Sequence, residues 1–268
     1  MRELVLAFLA SVSLLAGTAA SARESSPSPD EITVPAGSPA AIENGGSTLW
    51  DDAAGHPAGQ SPNPPQVPAA GFRWKSALLQ SAFFLGMQHG FRMFEIETRR
   101  ELDGPFFKDY VDSVRGLQGW GDGDTWVTNY VAHPLMGAAS GYIQVHNDPG
   151  GIGLEFGKDP AYWKSRLKAM GWAAAYSLQF ELGPAGEAAI GNVGLRPGTM
   201  GAVDLVITPL GGFGIMVLED FLDRHVIRKL EAGTSSRNAR GFYRIALNPA
   251  RSLANFLRLR HTYHRDSR

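Results

Sequence analysis

Residues 125–147 constrain this chain most, because they hold no Asp, Glu, Lys or Arg over 23 positions. A run that long without formal charge can cross a bilayer. Yet Asn129, His133, Ser140, Gln144 and His146 lie within it. A buried polar group without a partner costs about 2–7 kcal/mol. The run therefore has to find polar partners elsewhere in the chain.

The surrounding pattern is helical. Trp74, Leu78, Phe84 or Leu85, Phe91 and Phe94 recur at helical spacing, which predicts a helix over 74–102 that Gly104-Pro105 stops. A shorter helix is expected over 106–117. The glycine-rich turn at 119–123 follows, with Asp122 or Asp124 as the cap of the next helix. Further helices are expected over 161–182, 200–232 (with Pro209 as a kink or break) and 249–259. Gly86 to Gly90 and Gly137 to Gly141 have the four-residue spacing that lets two helices approach closely. No strand alternation is visible, and 190–199 reads as a loop. The expected fold is all-α: a compact bundle of five or six helices with close Gly-mediated packing, preceded by a disordered Pro-rich segment.

The N-terminal third is a different polymer. Leu4 to Ala16 is an apolar run ending near Ala20-Ser21-Ala22, which fits a secretory signal over 1–22. Residues 23–71 carry nine of the 17 prolines and read as a flexible linker. The helical domain is expected over 72–260 and a basic tail over 261–268. With no Cys in the chain, disulfides, thiolate metal sites and Cys nucleophiles are excluded.

Charge divides unevenly. From Arg224 onward there are 11 basic and 2 acidic residues, a net +9, against −10 for everything before. In an exported protein such a segment meets anionic lipid or the acidic body of its own fold, and nucleic acid is not the expected partner.

Few polar residues remain to carry chemistry. Asn129 and His133 are four apart, so they share a helix face, with Asp124 at the start of that helix. Ser177 and Glu181 end an apolar run, and Asp204 is the only formal charge between Met200 and Leu218. One reading makes His133, Glu181 and Asp204 ligands of a divalent metal, since an imidazole with two carboxylates suits Zn, Mn or Fe. A second has His133 as general base, oriented by Asp124 or Glu181. A third has Asn129, His133, Ser177, Glu181 and Asp204 tie helices together as a buried polar network. Gly151-x-Gly153 lacks the third glycine of a dinucleotide loop, and Ser140 does not sit in a nucleophile elbow.

The order Asn129-Tyr130-x-x-His133-Pro134, Ser177-x-x-x-Glu181, Asp204-x-x-x-Thr208-Pro209-x-Gly211-Gly212 and Asn248-Pro249 resembles a family of exported bacterial envelope proteins of unknown function. The likeness covers about residues 120–256. This chain departs from it in having Phe180, where relatives carry Trp, before the Glu. The resemblance implies an envelope location, periplasmic or membrane-associated, and that Asn129, His133, Glu181 and Asp204 belong together. It supplies no reaction. The expected function is that of a membrane-associated structural or lipid-binding helical module. The alternative is a metal- or His-dependent hydrolase or transferase acting on an envelope lipid or glycan.

Overall fold

The structure is a computed structural model, and it describes residues 71–94, 105–190 and 193–266. The expected signal segment and all but the end of the Pro-rich linker lie outside the described residues. Within them the chain is all-α, with seven helices of nine residues or more and no strand.

In chain order these are α1 (Trp74–Arg92), α2 (Phe106–Arg115), α3 (His133–Asn147), α4 (Pro160–Leu182), the short α5 (Glu187–Ile190), α6 (Val203–Leu222), the short α7 (Arg228–Ala232), α8 (Arg237–Leu247) and α9 (Pro249–Leu257). Single π-helical turns, Thr128–Ala132 and Asp223–Ile227, lead into α3 and α7. Thr125 caps the helix leading to α3, its Oγ1 accepting from the Thr128 N–H, and Asp122 accepts from the Asp124 N–H within the preceding turn. The sequence reading places no helix over 237–247. Its one clear signal is Ser236, whose hydroxyl accepts from the Ala239 N–H as an N-cap.

Residues 137–147 of the uncharged run form the middle of the bundle, while Trp126, Val127, Tyr130 and Val131 at its start are exposed. Every residue from Gly137 to Asn147 is buried, and α1, α4, α6 and α9 pack around α3. Small residues make this possible. A Cβ on Gly137 would stand 2.0 Å from the Thr208 carbonyl oxygen on α6, and one on Gly212 would stand 2.6 Å from the Gly137 backbone. The α3–α6 crossing is thus backbone against backbone. Pro209 lies inside α6 without ending it. It removes one hydrogen bond in the second turn, and packing against α3 holds the rest.

The other glycine pair does not pack. Gly86 and Gly90 on α1 face open space, with nothing within 4 Å of a built Cβ. The same spacing thus has opposite consequences at the two places. Gly137→Ala is expected to destabilise by about 3 kcal/mol or more, because the clash is with backbone. Gly86→Ala is expected to stabilise by about 0.5–1 kcal/mol through helix propensity alone. Urea melts of both variants would check the pair.

The polar residues of the run are only partly satisfied: Ser140 donates to the Gly137 carbonyl oxygen at 2.9 Å, while Gln144 Oε1 and His146 Nδ1 are buried without a hydrogen-bond partner. Asn147 donates to Gln80 Oε1 of α1 at 3.1 Å, and Gln144 donates to Asp148 at 3.3 Å. At the far end of α6, Asp220 accepts from Tyr162 at 2.9 Å, Arg166 at 2.6 Å and Tyr142 at 3.3 Å, and it also pairs with Arg251. Its neighbour Glu219 accepts the Ala250 and Arg251 N–H groups at 2.8 and 3.1 Å, capping α9 from across the core. The basic C-terminal segment lies on this acidic end. Arg265 pairs with Asp223 and Glu231, Arg244 with Glu231, and Arg258 with Asp266. Of the two fates expected for that segment, the described residues show the acidic body of the same fold.

Val203–Ala232 is long and apolar enough to cross a membrane by length and composition, at a mean hydropathy of 1.6. A third of its most apolar window is buried inside the bundle.

Candidate metal centre

Three helices bring their ends together opposite the arginine network. The π turn and first residue of α3 present Asn129 and His133, the last turn of α4 presents Glu181, and the first turn of α6 presents Asp204. A π turn is often found where a helix must re-aim side chains at a functional site. Here it turns Asn129 toward the acid of the preceding loop while His133 reaches α6.

One donor atom from each of His133, Glu181 and Asp204 lies within 4.8 Å of the other two. His133 Nδ1 is 3.6 Å from Asp204 Oδ1. Glu181 and Asp204 are buried, at 6% and 5% exposure, and His133 is partly so. The three residues singled out in the sequence as candidate ligands therefore converge, although they are spread over more than 70 positions.

Asp122 joins them. Its Oδ1 accepts from Asn129 Nδ2 at 2.9 Å and from the Asp124 N–H at 2.9 Å, and its carboxyl group meets that of Asp204. Sequence reasoning treated Asp122 only as a cap. The signal that could have found it is the Asp122–Asn129 spacing across a glycine-bordered turn, which lets the acid fold back under the helix. Asp124 is exposed and adds negative charge near Glu181 and Asp204. Of the two acids in the turn, Asn129 grips Asp122. Ser177 has a different role: its hydroxyl donates to the Asp204 main-chain oxygen at 3.1 Å and locks α4 to the start of α6.

The electrostatics are those of a site short of positive charge. Burial pushes Glu181 up to about 7, partly offset by Arg92. Burial, followed by the Asp122 contact and the charge of Glu181, pushes Asp204 up to about 9. Asp122 is held below its usual range by hydrogen bonds from its neighbours, which outweigh its own burial. Burial lowers His133 to about 4, against the pull of Asp122, so its imidazole is neutral near pH 7. Among the described residues, Asp122 Oδ2, Asn129 Oδ1, Glu181 Oε1 and Asp204 Oδ1 are all buried acceptors with no hydrogen-bond donor. Arg92, the cation nearest the site in this set of interactions, is paired with Glu187.

Chemically, this is a neutral imidazole beside two or three oxygen donors, the set that Zn, Mn and Fe share. No family model, curated protein or solved structure matches the chain.

Proposed function

We propose that this chain is a divalent-metal-dependent hydrolase or transferase of the bacterial cell envelope, with His133, Glu181 and Asp204 as the metal ligands. The observation that carries the reading is the convergence of these three side chains around buried carboxylate oxygens that no protein donor satisfies. A purely structural network would pair its acceptors with donors. A cation of charge +2 satisfies the same oxygens at once.

A bound divalent ion there would supply Lewis acidity and an acidified water. The residues around it have distinct duties. Asn129 fixes Asp122, whose carboxylate meets the Asp204 carboxyl group beside the proposed ligands. Ser177 and the Gly137–Gly212 crossing fix the distance between the helices that carry the ligands. The metal-free alternative is weaker, because an imidazole lowered to about 4 is a poor general base near pH 7. The envelope location rests on the signal-like residues 1–22 and on the family resemblance.

The test is elemental analysis of the purified protein beside Asp204→Asn and His133→Ala. One divalent ion per chain, lost in both variants with their helical circular dichroism retained, is the expected result. Absence of metal after loading with Zn or Mn, with His133→Ala merely less stable, would overturn the reading in favour of a structural tie.

A further inference from the structure

The surface opposite α3 carries a second feature that the metal centre does not use. Helices α4 and α6 lie side by side and antiparallel: Ser177 of α4 meets Asp204 at the start of α6, and Arg166 of α4 meets Asp220 near its end. Each helix shows an apolar stripe to the outside. On α4, Leu167 and Leu178 are 52% and 53% exposed, and on α6, Leu210 and Leu218 are both 54% exposed, with Val206 and Phe221 extending the row. Gly171 and Gly214 between them face open space. At 1.5 Å per residue the α6 stripe is about 22 Å long and the α4 stripe about 17 Å. A smooth two-helix apolar face of this size exceeds what scattered surface leucines produce.

The charges on the same two helices are one-sided. Their four acids, Glu181, Asp204, Glu219 and Asp220, are all buried. Their exposed charges are Lys164 and Lys168, and exposed Arg224 follows the end of α6. Because the helices are antiparallel, these three cations gather at one end of the apolar face, where Lys168 also meets Asp148 at 3.2 Å and Arg224 meets Glu155 at 4.0 Å. A second copy apposed on this face would set lysines near lysines, with exposed Asp159 at the start of α4 as the acid beside them. An anionic lipid surface brings both an apolar layer and the opposite charge.

We infer that the α4–α6 face lies in the plane of a bilayer, its leucines in the acyl boundary and Lys164, Lys168 and Arg224 on anionic head groups. This goes beyond the metal reading and stands on different residues, so either can fail alone. It also places the source of membrane contact on two helices of the body and not on Arg244 and Arg265 of the C-terminal segment, which pair with Glu231 and Asp223.

The experiment is flotation of the full chain with vesicles of phosphatidylethanolamine and phosphatidylglycerol, against phosphatidylcholine alone. The variants are Leu210→Asp with Leu218→Asp, and Lys164→Glu with Lys168→Glu. Binding to the anionic vesicles is expected, with a loss on the order of tenfold for the lysine pair or on phosphatidylcholine. The leucine pair should not bind, while keeping the wild-type circular dichroism spectrum. Should the leucine pair misfold, the lysine pair decides. Equal flotation of wild type and variants would overturn the assignment, because another segment would then be the anchor. A failure of wild type to float, with a dimer in sedimentation that the leucine pair dissociates, would also overturn it in favour of a self-association surface.

Discussion

Replacing Asp220 by asparagine is expected to cost about 3–5 kcal/mol. Asp220 is the one acid that Arg166, Arg251, Tyr142 and Tyr162 share. Arg166 is fully enclosed, at 1% exposure, and cannot turn to water when its partner goes. The variant would leave that guanidinium, and much of Arg251, with no compensating charge in a low-dielectric interior. Glu219, next in the chain, does not substitute for it, since its oxygens are committed to the α9 backbone. A denaturant melt of Asp220→Asn measures the loss directly. A change below about 1 kcal/mol would mean that water reaches Arg166 and that the network is ornamental to stability.

The second large effect is the pH dependence of metal binding. Glu181 and Asp204 are raised to about 7 and about 9 in the metal-free fold. A metal ligand must be deprotonated, so binding displaces those protons. Apparent affinity is expected to rise on the order of a thousandfold from about pH 6 to about pH 8, with proton release measurable in two buffers of different ionisation enthalpy. The same shifts set the stability of the metal-free protein. An acid whose folded pKa is raised binds more protons folded than unfolded. Stability from these two groups is therefore present at low pH and lost as pH rises through about 7 and then about 9. His133 acts at the other end: lowered to about 4, it takes stability away as pH falls below the ordinary imidazole range. The rise in melting temperature on adding Zn or Mn should thus be larger at about pH 8 than at about pH 6. A larger rise at the lower pH would remove the two carboxylates from the ligand set.

Much of the architecture could be read from residue pattern because it depends on local rules. The starts of α4 and α9 follow from Pro160 and Pro249 at the first helical position, and the buried α3 from a run without charge. Helix α8 escaped because its long basic side chains hide a weak apolar stripe. The fate of Gly86 and Gly137 could not be told apart, since a spacing of four says nothing about which neighbour faces it. The ligand trio was legible for a simple reason: charged residues are so scarce in α4 and α6 that each one demanded an explanation. Asp122 was not, because a turn rich in Gly and Asp already has a local use for every acid. The pairing of the C-terminal arginines with Asp223 and Glu231 depends on chain reversal through α8 and α9, which no local pattern encodes.

That pairing also orders events in time. Asp220, Asp223 and Glu231 precede Arg244, Arg251 and Arg265 in the chain, so a ribosome makes the acids before the cations that match them. Until α8, α9 and the segment after them have been made, Asp220 has Arg166, Tyr142 and Tyr162 as partners but not Arg251. The acidic end of α6 is therefore the last part of the bundle to be neutralised, and the C-terminal arginines complete it.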